Sequence, residues 1–166
     1  MKHWRHKQKG FSLIELVIVV AIIVIVASIA IPNLLQARVS SNEASAVTSL
    51  RAIGTAMASY NMKYWGVGFA SNLSALGGTS CAQPSQTGAC LIDPVLASGA
   101  KDGYTFNATS IGSAPAEQYF AVGLPGSGTG NRSFCITEAG AGAIHYDPTG
   151  SAIPDHDSCI ALTQLQ

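Results

Sequence analysis

Apolar positions crowd one stretch of the chain and then thin into a periodic stripe. From Phe11 to Ile31 runs FSLIELVIVVAIIVIVASIAI, 21 residues in which Glu15 is the only charge. Coiled as a helix, this stretch measures about 31 Å and matches a bilayer core of about 30 Å. Beyond Pro32 the pattern changes. Val39, Val47, Leu50, Ile53, Met57, Tyr60 and Tyr64 recur at steps near three, four and seven, the period of one helix face. Arg38, Ser40, Asn42, Glu43, Ser45, Thr48, Arg51 and Asn61 suit the opposite, wetter face. The pattern predicts one helix from Phe11 to about Lys63, apolar over residues 11–31 and amphipathic over residues 32–63. Pro32 lacks an N–H and crowds the preceding turn, so a bend or local melting is expected at Ala27–Pro32, with Gly54 a second weak point. Met57 and the tyrosines, at helical spacing, read as core.

A globular head is expected over residues 64–166. Tyr64-Trp65-Gly66-Val67-Gly68-Phe69 ends the helix, and a loop rich in Ser, Gly, Thr and Ala follows. Four runs then read as strands: Gly103–Ala108, with Tyr104 and Phe106 on one face; Gln118–Leu124, with Phe120, Val122 and Leu124 alternating; Arg132–Thr137; and Ala143–Tyr146. The last two flank a glycine-containing hairpin loop, and Gly123–Asn131 reads as a flexible connection. An antiparallel sheet of about four strands needs a cover for its apolar face, and the amphipathic helix half supplies one. The fold class is α+β, and the remaining aromatic residues read as head core.

Charge sharpens the picture. The 166 residues are 48% hydrophobic and only 11% charged, with no net charge, which excludes a disordered chain. The balance is uneven: Lys2, Arg5, Lys7 and Lys9 sit in the first ten residues, leaving five basic groups against nine acidic in the rest. No nucleic-acid partner is expected, since phosphate binding needs clustered cations. Basic residues before the apolar stretch put the N-terminus in the cytoplasm and export the rest. The four cysteines all fall on the exported side, where an even number reads as two disulfides. Three pairings are open. Cys81–Cys90 with Cys135–Cys159 closes two local loops and is the one we favour. Phe134 and Ile136 share one face of their strand, so Cys135 faces the other, and a bond to Cys159 would hold the C-terminal tail there.

The N-terminus carries the most specific signal. An ordinary secretory signal, cut after Ser28-Ile29-Ala30, would have a shorter apolar stretch, and a plain membrane anchor leaves Glu15 unexplained. KGFSLIELVIVVAIIVIVASIAIPNLL instead resembles the prepilin N-terminus of type IV pilins and of the pseudopilins of type II secretion: a short basic leader, Gly10 before the cut, Phe11 as the new N-terminus, Glu15 as the fifth mature residue, and Pro32 where such helices commonly bend. The resemblance implies a pilin fold, removal of the leader at residues 1–10 by a prepilin peptidase, and N-methylation of Phe11 by the same class of enzyme. The tail around Cys159 also resembles the disulfide-bounded C-terminal region of type IVa pilins.

By this resemblance the chain is expected to be a structural subunit and no enzyme. It would sit in the bacterial inner membrane with its N-terminus cytoplasmic, then polymerise with other copies of itself into a surface pilus. An inner-membrane assembly platform and an assembly ATPase would drive that step. The alternatives are a major pseudopilin of a type II secretion system and a minor pilin with a receptor or adhesive role. Glu15 has its own physical logic. An unpartnered carboxylate in an apolar helix is costly, and cleavage after Gly10 would create an amine on Phe11 that the Glu15 of a neighbouring subunit can meet, fixing the register between helices. No cofactor is expected. Asp155 and Asp157 form a weak calcium candidate beside His145, Asp147 and His156, but they lack a ligand-loop spacing and read better as a solvated acidic loop. No cysteine pair has zinc spacing, and no phosphate loop or hydrolytic motif is present.

Overall fold

The computed structural model describes residues 11–78, 81–139 and 142–165. The expected leader and its scissile residue Gly10 lie outside the described residues. The chain divides into two units, residues 1–37 and 38–166, and one helix, α1 (Leu13–Lys63), contributes to both.

In the first unit α1 starts two residues later than the pattern suggested. Ser12 precedes it and its C=O accepts from Leu16 N at 3.2 Å. Ser12 and Glu15 stand at the spacing of a capping box, and an acidic group in the first turn also suits the helix dipole. Helical assignment runs unbroken through Ala27–Pro32, so the expected melting is absent. Pro32 deprives only the Ser28 carbonyl of its usual donor, and the helix continues on both sides. The Ser28 hydroxyl donates to Ile25 O at 2.7 Å.

The second unit joins the rest of α1 to a six-stranded antiparallel sheet in chain order: β1 (Ala100–Lys101), β2 (Tyr104–Ile111), β3 (Gln118–Pro125), β4 (Ser133–Thr137), β5 (Ile144–Asp147) and β6 (Thr163–Gln164). Short helices α2 (Leu73–Leu76) and α3 (Pro94–Ala97) lie between α1 and the sheet in sequence, and α4 (His156–Ile160) precedes β6. The four expected strands are present. β1 and β6 are additions of two residues each, too short to carry a periodic signal. β3 runs one residue past the expected strand, to Pro125, so the connection that follows is shorter than the expected Gly123–Asn131.

Both faces of the sheet are covered. On one, Leu50, Ile53, Met57 and Tyr60 of α1 pack in one cluster with Phe106, Tyr119, Phe134, Ile136 and Ile144. On the other, Phe120, Val122 and Cys135 pack with Ile153 and Cys159 of the C-terminal segment. The central strand β4 is therefore buried at every position, without alternation. Gly54 is a point of close approach and no break in α1: a Cβ there would lie 2.7 Å from Ile136 Cδ1. Trp65 departs from the expected aromatic core and is 81% exposed.

Candidate assembly site

The apolar segment is the feature with no structural role inside the chain. Every large apolar residue from Phe11 to Leu35 is exposed, and α1 is long and apolar enough to cross a membrane. A helix apolar on all sides is stable only when lipid or other helices surround it. Phe11 is 73% exposed just before the helix, and Glu15 is exposed in its first turn, four residues on. Between Phe11 and Ala37 no other side chain is charged. The structure thus places Phe11, Glu15 and Pro32 on one uncovered segment.

In the head, polar ties fasten α1 to loops of the sheet. Glu43, assigned to the wet face from its type, is buried at 6% exposure. Its Oε2 accepts from Arg132 Nη2 at 2.6 Å and Nε at 2.8 Å, while Oε1 accepts from Asn131 N at 2.9 Å. The guanidinium also stacks near Phe134 and Tyr146, 5.5 and 5.6 Å from the ring centres. Asn42 Nδ2 donates to Thr129 O at 2.9 Å, and the Ser45 hydroxyl donates to Asp102 at 2.5 Å. The loop between β3 and β4, expected to be flexible, is fixed to the helix by the bonds of Asn42 and Glu43, and the β1–β2 turn by that of Ser45. Sequence reasoning missed Glu43 because it went by side-chain type. The signal was its place in the repeat: Val39, Glu43, Ala46, Leu50, Ile53 and Met57 follow at alternating steps of four and three.

The four cysteines form Cys81–Cys90 and Cys135–Cys159. The second bond joins the two sides of the smaller apolar cluster, where Cys135 and Cys159 are fully buried. Around it the acidic residues have structural duties. Asp155 caps α4, accepting from Ser158 N at 2.8 Å, and that bond holds its carboxyl below the ordinary range. Asp147 accepts from the Thr149 hydroxyl and N–H, which lower it likewise. His145 Nδ1 lies 2.9 Å from Leu162 O. Asp157 faces His156, whose other nitrogen meets Glu138. Among the described residues no group of three or more His, Cys, Asp or Glu side chains is placed to hold a metal ion.

The family model of the prokaryotic N-terminal methylation motif matches residues 5–31. The type IV major pilin protein PilA of Myxococcus xanthus is 50% identical over 54 residues, 32% of this chain and 24% of that protein. The type IV wide pilus major component PilA4 of Thermus thermophilus is 63% identical over 35 residues, 21% of this chain and 27% of that protein. The chain thus covers about a quarter of the length of each of these relatives. No solved structure matches it. Both relatives are pilus components, which does not favour the pseudopilin alternative. The chain carries the N-terminal methylation motif over residues 5–31 and is, by sequence, akin to the type IV major pilins.

Proposed function

We propose that this chain is the structural subunit of a type IV pilus, made as a precursor and polymerised through its N-terminal helix. The observation that carries the reading is the uncovered apolar segment with one charge, Glu15, set inside the methylation motif. The leader 1–10 is removed after Gly10 and Phe11 receives a methyl group on its new amine. Residues 11–31 hold the subunit in the inner membrane, N-terminus in the cytoplasm, until assembly. Residues 32–63 carry the head, residues 64–166. In the filament the carboxylate of one copy meets the Phe11 amine of the next, which removes two unpaired charges from an apolar bundle and selects one axial register. The disulfides Cys81–Cys90 and Cys135–Cys159 harden a small exported head. The chain's partners are its own copies, the prepilin peptidase and methyltransferase, and the platform and ATPase of assembly. Its work is packing and no catalysis.

Glu15→Ala and Glu15→Gln test this. Near the membrane surface Glu15 of a single subunit is reachable by water, so both variants should be cleaved and retained in the membrane at normal amounts. Filaments sheared from the surface should fall at least tenfold, because the Phe11 ammonium is left unpaired at a cost of several kcal/mol. Normal filament yield from the alanine variant refutes the charge pairing. Loss of the subunit itself assigns Glu15 to insertion or folding instead.

A further inference from the structure

The C-terminal segment lies across one face of the sheet, its last residues pairing with β5 as β6, and two further attachments hold the part around α4. Ile153 and Cys159 pack on Phe120, Val122 and Cys135, with Leu162 at their edge. One attachment is the Cys135–Cys159 bond. The other is His156, the first residue of α4, which is 8% exposed. Its Nε2 lies 2.8 Å from Glu138 Oε1, just past the end of β4, and its Nδ1 lies 3.2 Å from Asp157 Oδ1. Glu138 is itself fixed to β3, since its Oε2 accepts the Tyr119 N–H at 2.9 Å. An imidazole with a carboxylate oxygen at each nitrogen makes both bonds only when both nitrogens carry protons.

Glu138 comes from the end of β4 and Asp157 from α4, both acidic, while Asp155 at the cap of α4 is engaged by Ser158 N and feels the ring only through its charge. β3 contributes the Tyr119 N–H to Glu138 and no charge to the ring. The cleft at this place, about 450 Å³, is lined by neutral Thr109, Ile111, Gln118 and Phe120 of β2 and β3, together with the loop into α4. We infer that His156 is a pH-dependent latch: protonated, it clips the C-terminal segment to the sheet through Glu138, and neutral, it loosens that clip while the Cys135–Cys159 bond keeps the segment tethered.

The neutral ring keeps one N–H. Directed at Glu138, it leaves a lone pair facing Asp157, whose side chain is 99% exposed and can turn to water. The latch therefore weakens from a charge-assisted bond to an ordinary one, about a fivefold change in the local opening equilibrium. Burial pulls His156 downward, but the bonds and charges of Asp157 and Glu138 outweigh it and raise the ring above its ordinary 6.5. A raised folded pKa means the stabilisation is complete below 6.5 and fades as pH rises through the higher folded value.

The test is amide hydrogen exchange together with side-chain NMR of the full chain in detergent micelles, from about pH 5.5 to about pH 8.5. The His156 signal is assigned by its disappearance in His156→Asn. After correction for intrinsic rates, protection over residues 153–162 should drop about fivefold on the same midpoint as His156, above 6.5, with β2 unchanged. Glu138→Gln should lower that midpoint. Asp157→Asn, at an exposed side chain with no role in packing, should lower it also. Protection independent of pH, a His156 midpoint at or below 6.5, or a midpoint unmoved in both variants overturns the latch.

Discussion

Glu43 stands in the α1 stripe between Val39 and Ala46, where the repeat calls for an apolar side chain and the chain supplies a carboxylate. It is tolerated because three donors from Asn131 and Arg132 surround it, and because Arg132 is still partly open to water. Glu43→Ala should lower head stability by about 2–3 kcal/mol, the loss of several charge-assisted bonds. Glu43→Gln should cost less, since its amide oxygen still accepts from Asn131. Chemical denaturation of the detergent-solubilised chain checks both. The pair joins residues 89 apart in sequence, which explains why reading α1 alone does not find it. Two buried tyrosines make a second prediction. Burial first, then the charge of Glu43 at Tyr104 and of Glu138 at Tyr119, pushes each phenol from 10.0 to about 12. Raised values mean their stabilisation is whole below pH 10 and is lost as pH climbs toward 12. Head stability should fall over that window, and Tyr119→Phe should flatten part of the slope.

Among the elements, α1 and the inner strands were legible because each repeats: α1 in steps of three and four, and β2 by alternation, with Tyr104, Phe106 and Ala108 buried between exposed neighbours. β4 alternates in chemistry but not in burial, since the C-terminal segment covers its second face. β1 and β6 were invisible, because two residues define no period and their pairing depends on the neighbouring strand. Gly54 is the sharpest test of how α1 meets the sheet. Alanine is a better helix former by about 1 kcal/mol, yet its Cβ would press on the Cδ1 of fully buried Ile136. Overpacking of that kind costs about 1–3 kcal/mol, so Gly54→Ala should destabilise the head. Ile136→Val, which deletes that methyl, should cost less in the Gly54→Ala background than alone. Simple additivity would show that the two residues do not meet. At the other face, Cys159→Ser should destabilise the head by about 2–4 kcal/mol and raise hydrogen exchange first in α4 and β6, leaving β2 protected.

The whole chain combines a head with two covered sheet faces and a segment with none covered. That contrast was legible in the sequence, since a 21-residue run with Glu15 as its one charge has no polar face to turn to water. The residues proposed to direct assembly stood out for the same reason: Glu15 is the one charge in the segment, and Gly10 and Phe11 mark the boundary between the basic leader and the apolar run. What composition could not supply was the internal fastening of the head by Glu43, Asn42 and His156, which exists only once distant strands are side by side. The central claim is that the segment beginning at Phe11 is the polymerising end of a processed subunit. Intact mass and N-terminal sequencing of protein from surface filaments measure it directly. The filament chain should begin at Phe11, carry one added methyl group on its amine and contain two disulfides. Filament protein that retains residues 1–10, or that begins at Ile31, would contradict it.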